Sequence, residues 1–178
     1  MGKKILEEIL QKKQKLKKTA DWSRRKHIWL NSVQEFYQDI ATWLGPFTEK
    51  GLLKITCENA VKREENIGEY HVKKMVLNIS EETVTFDPVG TLIMGARGRI
   101  DMTGKNGTVM FVLVDRESRT PRIRIKTDTE SRENNGSNPK AHNETELVWK
   151  ISTSPPDIRY MPLNEDSFSD VLAEVIDD

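Results

Sequence analysis

Basic side chains are the residues of this chain whose types and spacing most clearly suggest binding chemistry. Arg122, Arg124 and Lys126 alternate with two isoleucines, so one face of the corresponding strand would be basic. Guanidinium groups bind phosphates and carboxylates through paired hydrogen bonds. A patch of this kind would bind nucleic acid or an acidic protein partner, although the same alternation would also keep an exposed strand soluble. The residues predicted to form it are Arg97, Arg99, Arg116, Arg122, Arg124 and Lys126.

Two aspartates lie on neighbouring predicted strands. The stretch Gly-Arg-Ile-Asp at 98–101, followed fourteen residues later by Asp115, resembles the two-strand core of the restriction-endonuclease-like nucleases. The resemblance implies a divalent metal, held by an aspartate on one strand and an acid-x-lysine motif on the next, that prepares a water for attack on phosphate. The residue two positions after Asp115 is Glu117, where that family usually has lysine.

The turn between those strands decides whether the two carboxylates meet. The dipeptide Asn106-Gly107 lies between two alternating segments and is typical of a two-residue type I′ hairpin turn. With this dipeptide at its centre, the hairpin pairs Asp101 with Val112 and directs Asp101 and Asp115 to opposite faces. Only a β-bulge would bring them together. We therefore expect no shared metal site, and an ion pair between Asp101 and Arg99 on the less buried face of the sheet.

Other catalytic, metal and cofactor sites are not indicated. The histidines at 27, 71 and 142 are far apart, and a single cysteine excludes zinc-finger spacing. Cys57 shares the alternation of Leu53 and Ile55, so we predict a small buried residue rather than a nucleophile paired with His71. The glycines between 95 and 107 precede strands rather than a helix, unlike phosphate-binding loops. We predict no cofactor, no metal and no catalytic residue, which favours a protein that is not an enzyme.

Two helical segments precede the strands. The first carries an apolar stripe from Ile5 to Leu16 that is surrounded by lysines, and the second carries a stripe from Trp22 to Trp43 and ends at Gly45-Pro46. A helix over about 21–44 would be roughly 35 Å long, which exceeds a typical strand. We therefore expect its first turns to overhang the sheet and to leave Trp22 and Trp29 available to a partner.

The period of the apolar residues changes to two beyond Leu52, which predicts strands. Turns too short for crossover helices separate about seven candidates, so the sheet should be mainly antiparallel. The candidates are 53–57, 71–79, 83–86, 97–102, 108–114, 122–126 and 146–151. Residues 127–145 are almost devoid of apolar side chains and predict a flexible loop, and Asp166 or Ser167 is expected to cap a last short helix. The predicted fold class is α+β: a mainly antiparallel sheet of about 6–7 strands, with two N-terminal helices and a short C-terminal helix packed on it.

Length and charge limit the classes of protein to which this chain can belong. We expect a helical segment over 1–46 and a β-rich domain over 47–178, together forming one compact domain. One cysteine and the lack of a long apolar stretch predict a cytoplasmic protein with no membrane partner. The net charge of zero conceals a polarity, because residues 1–28 hold ten basic and three acidic residues, whereas residues 157–178 hold seven acidic residues and Arg159.

These features favour a non-enzymatic accessory or adaptor protein that binds another protein, as a subunit of a larger regulatory or defence-type assembly. The alternative is a nucleic-acid-binding protein that uses the arginine and lysine side chains. A metal-dependent nuclease is the third hypothesis. A homodimer formed through the aromatic stripe is compatible with each.

Overall fold

The structure is a computed structural model and describes residues 2–121 and 146–177. Three helices and seven strands follow one another along these residues. The helices are α1 (Gly2–Trp43), α2 (Gly45–Glu49) and α3 (Glu165–Ile176). The strands are β1 (Lys54–Glu64), β2 (Gly68–Ile79), β3 (Glu82–Gly90), β4 (Gly98–Gly104), β5 (Gly107–Asp115), β6 (Leu147–Ser152) and β7 (Tyr160–Pro162).

The strands form one antiparallel sheet in which each strand pairs with its neighbour in the chain, in the order β1 to β7. This arrangement confirms the predicted α+β class and the antiparallel sheet. Six of the predicted strand candidates coincide with β1 to β6. The predicted strand 122–126 and the predicted loop 127–145 lie outside the described residues. Strand β7 was not predicted, because three residues ending in proline are too short to show an alternating pattern.

Helix α1 is continuous, whereas the sequence suggested two separate helices. No glycine or proline occurs between Gly2 and Gly45, and the lysine-rich junction consists of good helix formers. Thr19 does not cap a new helix; its hydroxyl donates a hydrogen bond to the carbonyl of Lys15 within α1. Helix α1 ends where Gly45-Pro46 was predicted to stop it, and Pro46 then lies in the first turn of α2.

The main core lies between one face of the sheet and the helices that cover it. Trp29 and Phe36 of α1 are buried against Phe86 and Phe111 of the sheet, and Phe168 of α3 completes the cluster. The ring centroids of Phe36 and Phe111 are 5.1 Å apart. Every buried residue of α1 lies in its C-terminal part, from Trp29 to Ile40. The sheet therefore covers only that part of the helix.

Helix α3 packs its apolar face on the sheet, as predicted. Its N-cap is Asn164 rather than Asp166 or Ser167: the Asn164 side chain accepts a hydrogen bond from the Ser167 backbone, and the Ser167 hydroxyl accepts one from the Asn164 backbone. The predicted N-cap residues lie two and three positions after Asn164, because the acidic first turn of α3 obscures which polar residue precedes the helix.

The turn between β4 and β5 lies one residue earlier than predicted, which shifts the cross-strand pairing by two residues. Gly104 pairs with Gly107 and Asp101 with Met110, so Lys105 and Asn106 occupy the turn. Contact with α3 explains the shift, because the Asn106 N–H donates to the Val175 carbonyl at 3.1 Å. A Cβ atom on Gly104 would lie only 2.4 Å from that carbonyl oxygen. A tertiary contact therefore sets the turn, and the local Asn-Gly preference does not.

Candidate functional site

The N-terminal arm, defined as residues 2–21 of α1, extends away from the sheet. All of its residues are exposed. At 1.5 Å per residue the arm is about 30 Å long. None of the helices in the described ranges has an apolar stretch that could cross a membrane.

The arm carries an apolar stripe on its exposed surface. At 100° per residue its five large side chains fall within about 140° of the helix circumference. They are Ile5, Leu6, Ile9, Leu10 and Leu16, with exposed fractions of 48% to 62%. A helix without tertiary contacts is only marginally stable in water. Exposed apolar side chains grouped on one face are typical of a surface that binds another molecule.

Lysines surround the stripe. The arm has seven lysines against Glu7, Glu8 and Asp21. Within the arm, the Gln11 side-chain amide donates a weak hydrogen bond of 3.4 Å to the Glu7 carboxylate. The arm therefore presents a positive potential around an apolar centre.

Trp29 is part of the core, so the expectation that it overhangs the sheet is wrong. Its side chain is 1% exposed, and its indole N–H donates to the Tyr70 hydroxyl at 3.1 Å. A Cβ atom on Gly98 would lie 2.2 Å from the Trp29 ring, so β4 approaches the helix too closely for any other residue. Trp22, about two helical turns earlier, is half-buried and lies beneath the Arg25 guanidinium, 5.3 Å from the ring centroid.

A partly buried polar junction connects the part of α1 that follows the arm to the sheet, and it was not predicted from the sequence. The Glu64 carboxylate accepts hydrogen bonds from the Tyr70 hydroxyl and from the backbone N–H groups of Thr91 and Leu92. Burial raises the pKa of the Glu64 carboxyl, but these hydrogen bonds lower it by more, so the pKa lies below its ordinary value. Arg25 adds a hydrogen bond of 2.5 Å to the Thr91 carbonyl. The junction holds the β3–β4 connection against α1.

The two aspartates of the nuclease hypothesis lie on opposite faces of the sheet. Asp101 opposes Met110, and Asp115, five residues further along β5, has the other side-chain direction. The pairing of β4 with β5 differs from the prediction by two residues, and because side chains alternate with a period of two, the two aspartates still lie on opposite faces. Within the described residues no cluster of histidine, cysteine, aspartate or glutamate could hold a metal ion.

Asp101 forms the predicted ion pair with Arg99, which confirms that expectation. The Arg99 Nε lies 2.8 Å from Asp101 Oδ1, and the Arg99 Nη2 donates to Asp101 Oδ2 at 3.0 Å. Asp101 also lies directly opposite Asp87 on β3, which binds the Lys62 ammonium at 2.8 Å. Two cations therefore compensate two aspartates that face each other, and Arg99 has little capacity left for a partner.

Cys57 and His71 do not approach each other, because Cys57 opposes Met75 while His71 opposes Val61, four residues away on β1. Cys57 is exposed, so the prediction of a buried residue is wrong. The reason is that β1 is an edge strand, which has a neighbouring strand on one side only.

The predicted basic patch is divided. Arg97 is exposed near Arg25, Arg99 is paired on the open face, and Arg116 at the end of β5 pairs with Glu146 at 2.7 Å. Arg122, Arg124 and Lys126 lie outside the described residues. The structure thus brings none of the three described arginines into a shared cluster with another predicted one.

A basic depression lies at the end of the sheet formed by β5, β6 and β7. Its volume is about 560 Å³. We call it the basic depression; its lining residues are Arg116, Glu117, Arg119, Thr120, Lys150, Arg159, Tyr160, Met161 and Pro162. The position of Lys150 on the open face could have been predicted, because Val148, Lys150 and Ser152 alternate along β6 with larger apolar residues.

The chain matches no protein-family model, no curated protein and no solved structure. Function must therefore be inferred from the arm, the sheet face and the basic depression themselves.

Proposed function

We propose that this protein is a non-enzymatic accessory protein of the cytoplasm that binds a partner protein through its N-terminal arm. The observation that carries the proposal is the exposed apolar stripe of the arm with lysines on its flanks. The partner is a protein with an apolar groove bordered by acidic side chains. An amphipathic helix that docks in a groove is a common mode of protein recognition.

The stripe can supply enough free energy for such an interaction. Each of its five side chains is about half exposed, so complete burial would contribute roughly 1 kcal/mol apiece. The lysines would add long-range attraction to an acidic rim and speed up association. A rigid attachment through Trp29 and the Glu64 junction lowers the ordering cost that a free peptide would incur.

The test compares two variants of equal charge. Leu6→Glu with Ile9→Glu places two carboxylates in the stripe, whereas Gln11→Glu with Gln14→Glu places two on the other side of the same helix. Full-length tagged protein at native expression is crosslinked through its lysines, and the captured protein is identified by mass spectrometry. We expect the first variant to lose the partner and the second to retain it, with crosslinks concentrated on the arm.

Equal loss in both variants would indicate that charge alone governs binding, and retention in both would exclude the arm. Capture of a second copy of this chain alone would point to a homodimer.

Nucleic-acid binding is the second candidate, and the ten basic residues within 1–28 favour it. Phosphate contacts release counterions, so affinity would fall steeply with salt, by a log–log slope of about 0.7 to 0.9 per contact. Retention of duplex or single-stranded DNA at low salt with such a slope would support this candidate. A flat response, or no shift at low salt, would remove it.

A further inference from the structure

We infer that the basic depression binds the phosphate group of a small phosphorylated organic molecule. The inference does not depend on the function proposed for the arm, which lies at the far end of α1. It rests on the environment of Lys150, on the cations around it and on the apolar wall beside them.

Lys150 is a buried cation without a carboxylate partner in the described part of the chain. The residue is 9% exposed and lies on the open face of β6, between Val112 of β5 and Pro162 of β7. Its ammonium donates to the carbonyls of Arg116 and Ser118, both at 2.7 Å. Among residues 2–121 and 146–177, these two carbonyl groups fix the position of the ammonium and leave its third N–H donor without a partner. Buried ammonium groups are rarely left without an anion, so this one is suited to receive one.

Further cations surround the same space. The Arg119 side chain has no partner within residues 2–121 and 146–177, while the Arg119 backbone carbonyl is fixed by a hydrogen bond of 2.8 Å from the Tyr160 N–H. Arg116 pairs with Glu146, and Arg159 pairs with Asp157. Both ion pairs are exposed, so they contribute little to stability and can exchange partners. Glu117 is the acidic residue of the lining.

The composition of the lining selects the class of ligand. Several cations around one space match a phosphate monoester, which carries close to two negative charges, better than a single carboxylate. Tyr160 and Pro162, on the face of β7 that Lys150 shares, form an apolar wall beside these charges. A volume of about 560 Å³ is typical of pockets for small molecules. A phosphate attached to an aromatic or apolar group therefore fits the depression.

The binding test uses phenyl phosphate, phenol, inorganic phosphate and a single-stranded oligonucleotide without terminal phosphates, titrated into the full chain by calorimetry. We expect phenyl phosphate to bind most tightly, inorganic phosphate to bind more weakly and phenol not to bind. Binding of the oligonucleotide alone would overturn the inference in favour of a backbone-binding surface, and absence of binding by both phosphate compounds would overturn it outright.

Variants locate the site. Lys150→Met and Arg119→Gln should each weaken phenyl phosphate binding by about tenfold, since each removes a charge-assisted hydrogen bond. Arg63→Gln on β1, at the opposite edge of the sheet, is the matched control and should bind normally. Arg119 is exposed, so its variant decides the outcome even if Lys150→Met does not fold. Unchanged affinity in Arg119→Gln, or an equal loss in Arg63→Gln, would contradict the inference. Leu6→Glu with Ile9→Glu should leave phosphate binding intact, which separates this site from the function of the arm.

Discussion

Glu64 joins parts of the chain that are distant in sequence. Its carboxylate accepts hydrogen bonds from Thr91 and Leu92, and Tyr70 connects it to Trp29. A partly buried carboxylate that accepts several hydrogen bonds is costly to replace, because each donor would lose its acceptor. Glu64 therefore helps to hold the β3–β4 connection against α1 at Trp29.

Glu64→Gln should destabilise the fold by about 1 to 3 kcal/mol, because an amide nitrogen replaces one acceptor oxygen opposite backbone donors. Urea denaturation measures the change. Glu65→Gln, at an exposed neighbouring position, is the control and should change the free energy of unfolding little.

The same carboxyl makes stability depend on pH. Its pKa is lower in the folded chain than the ordinary value of 4.5, so the folded state favours the ionised form. This contribution is present above the unfolded pKa and disappears as the pH falls through the folded pKa. Urea midpoints between about pH 7 and about pH 3 should fall more in the wild type than in Glu64→Gln. Parallel curves for the two proteins would contradict this role of Glu64.

Gly98 is required by the close approach of Trp29. Gly98→Ala should destabilise the fold by roughly 1 to 3 kcal/mol, because its Cβ would overlap the indole ring. Gly45→Ala is the matched control, since a Cβ there meets nothing within 4 Å. Thermal denaturation should separate the two variants, and equal midpoints would contradict the packing described for Trp29.

Individual contacts were predictable where both partners are close in sequence. Arg99 and Asp101 are two residues apart on one strand, so the alternation of β4 was enough to predict their ion pair. Glu64 and Thr91 are separated by 27 residues, and Lys150 reaches carbonyls 32 and 34 residues away. No local pattern encodes such contacts, so neither the junction nor the basic depression was predicted.

Helix α1 differs in burial along its length. Its C-terminal part belongs to the core, whereas the arm contributes no buried residue. Stability of the fold and stability of the arm should therefore be separable.

Ala20→Pro tests this separation. Proline within a helix costs about 3 kcal/mol or more, and Ala20 lies in the exposed arm, before the first contacts at Trp22. We expect lower helical circular dichroism with an unchanged thermal midpoint of the core. A midpoint lowered together with the helical signal would mean that the arm is part of the cooperative unit.

Helices and strands followed from apolar periodicity, but their exact limits and register did not. The change of period near Leu52 predicted six of the strands, and Gly45-Pro46 predicted the end of α1. Helix α1 is continuous because no glycine or proline interrupts it. The turn at Lys105-Asn106 depends on the contact with α3. Local helix propensity therefore explains the continuity of α1, whereas tertiary packing overrides the local turn preference between β4 and β5.

The charges of the whole molecule are separated between its ends. The arm is basic, whereas α3 has Glu165 and Asp166 in its first turn and no basic residue in its last. Net neutrality therefore does not prevent strong, oriented attraction to an acidic surface.

Salt should weaken the complex mainly by slowing association. Between about 0.1 M and about 1 M salt the Debye length falls from roughly 10 Å to roughly 3 Å. We expect the association rate to fall while the dissociation rate, governed by the buried apolar stripe, changes little. Surface plasmon resonance with the captured partner measures both, and a rate of association independent of salt would contradict a role for the lysines.

Hydrogen exchange of the arm, measured with the full chain alone and with its captured partner, tests the proposed docking most directly. We expect residues 2–21 to exchange rapidly in the free protein, because no tertiary contact protects them, and to become protected in the complex. An arm whose exchange is unchanged on binding, with new protection confined to the sheet, would contradict partner binding through the arm.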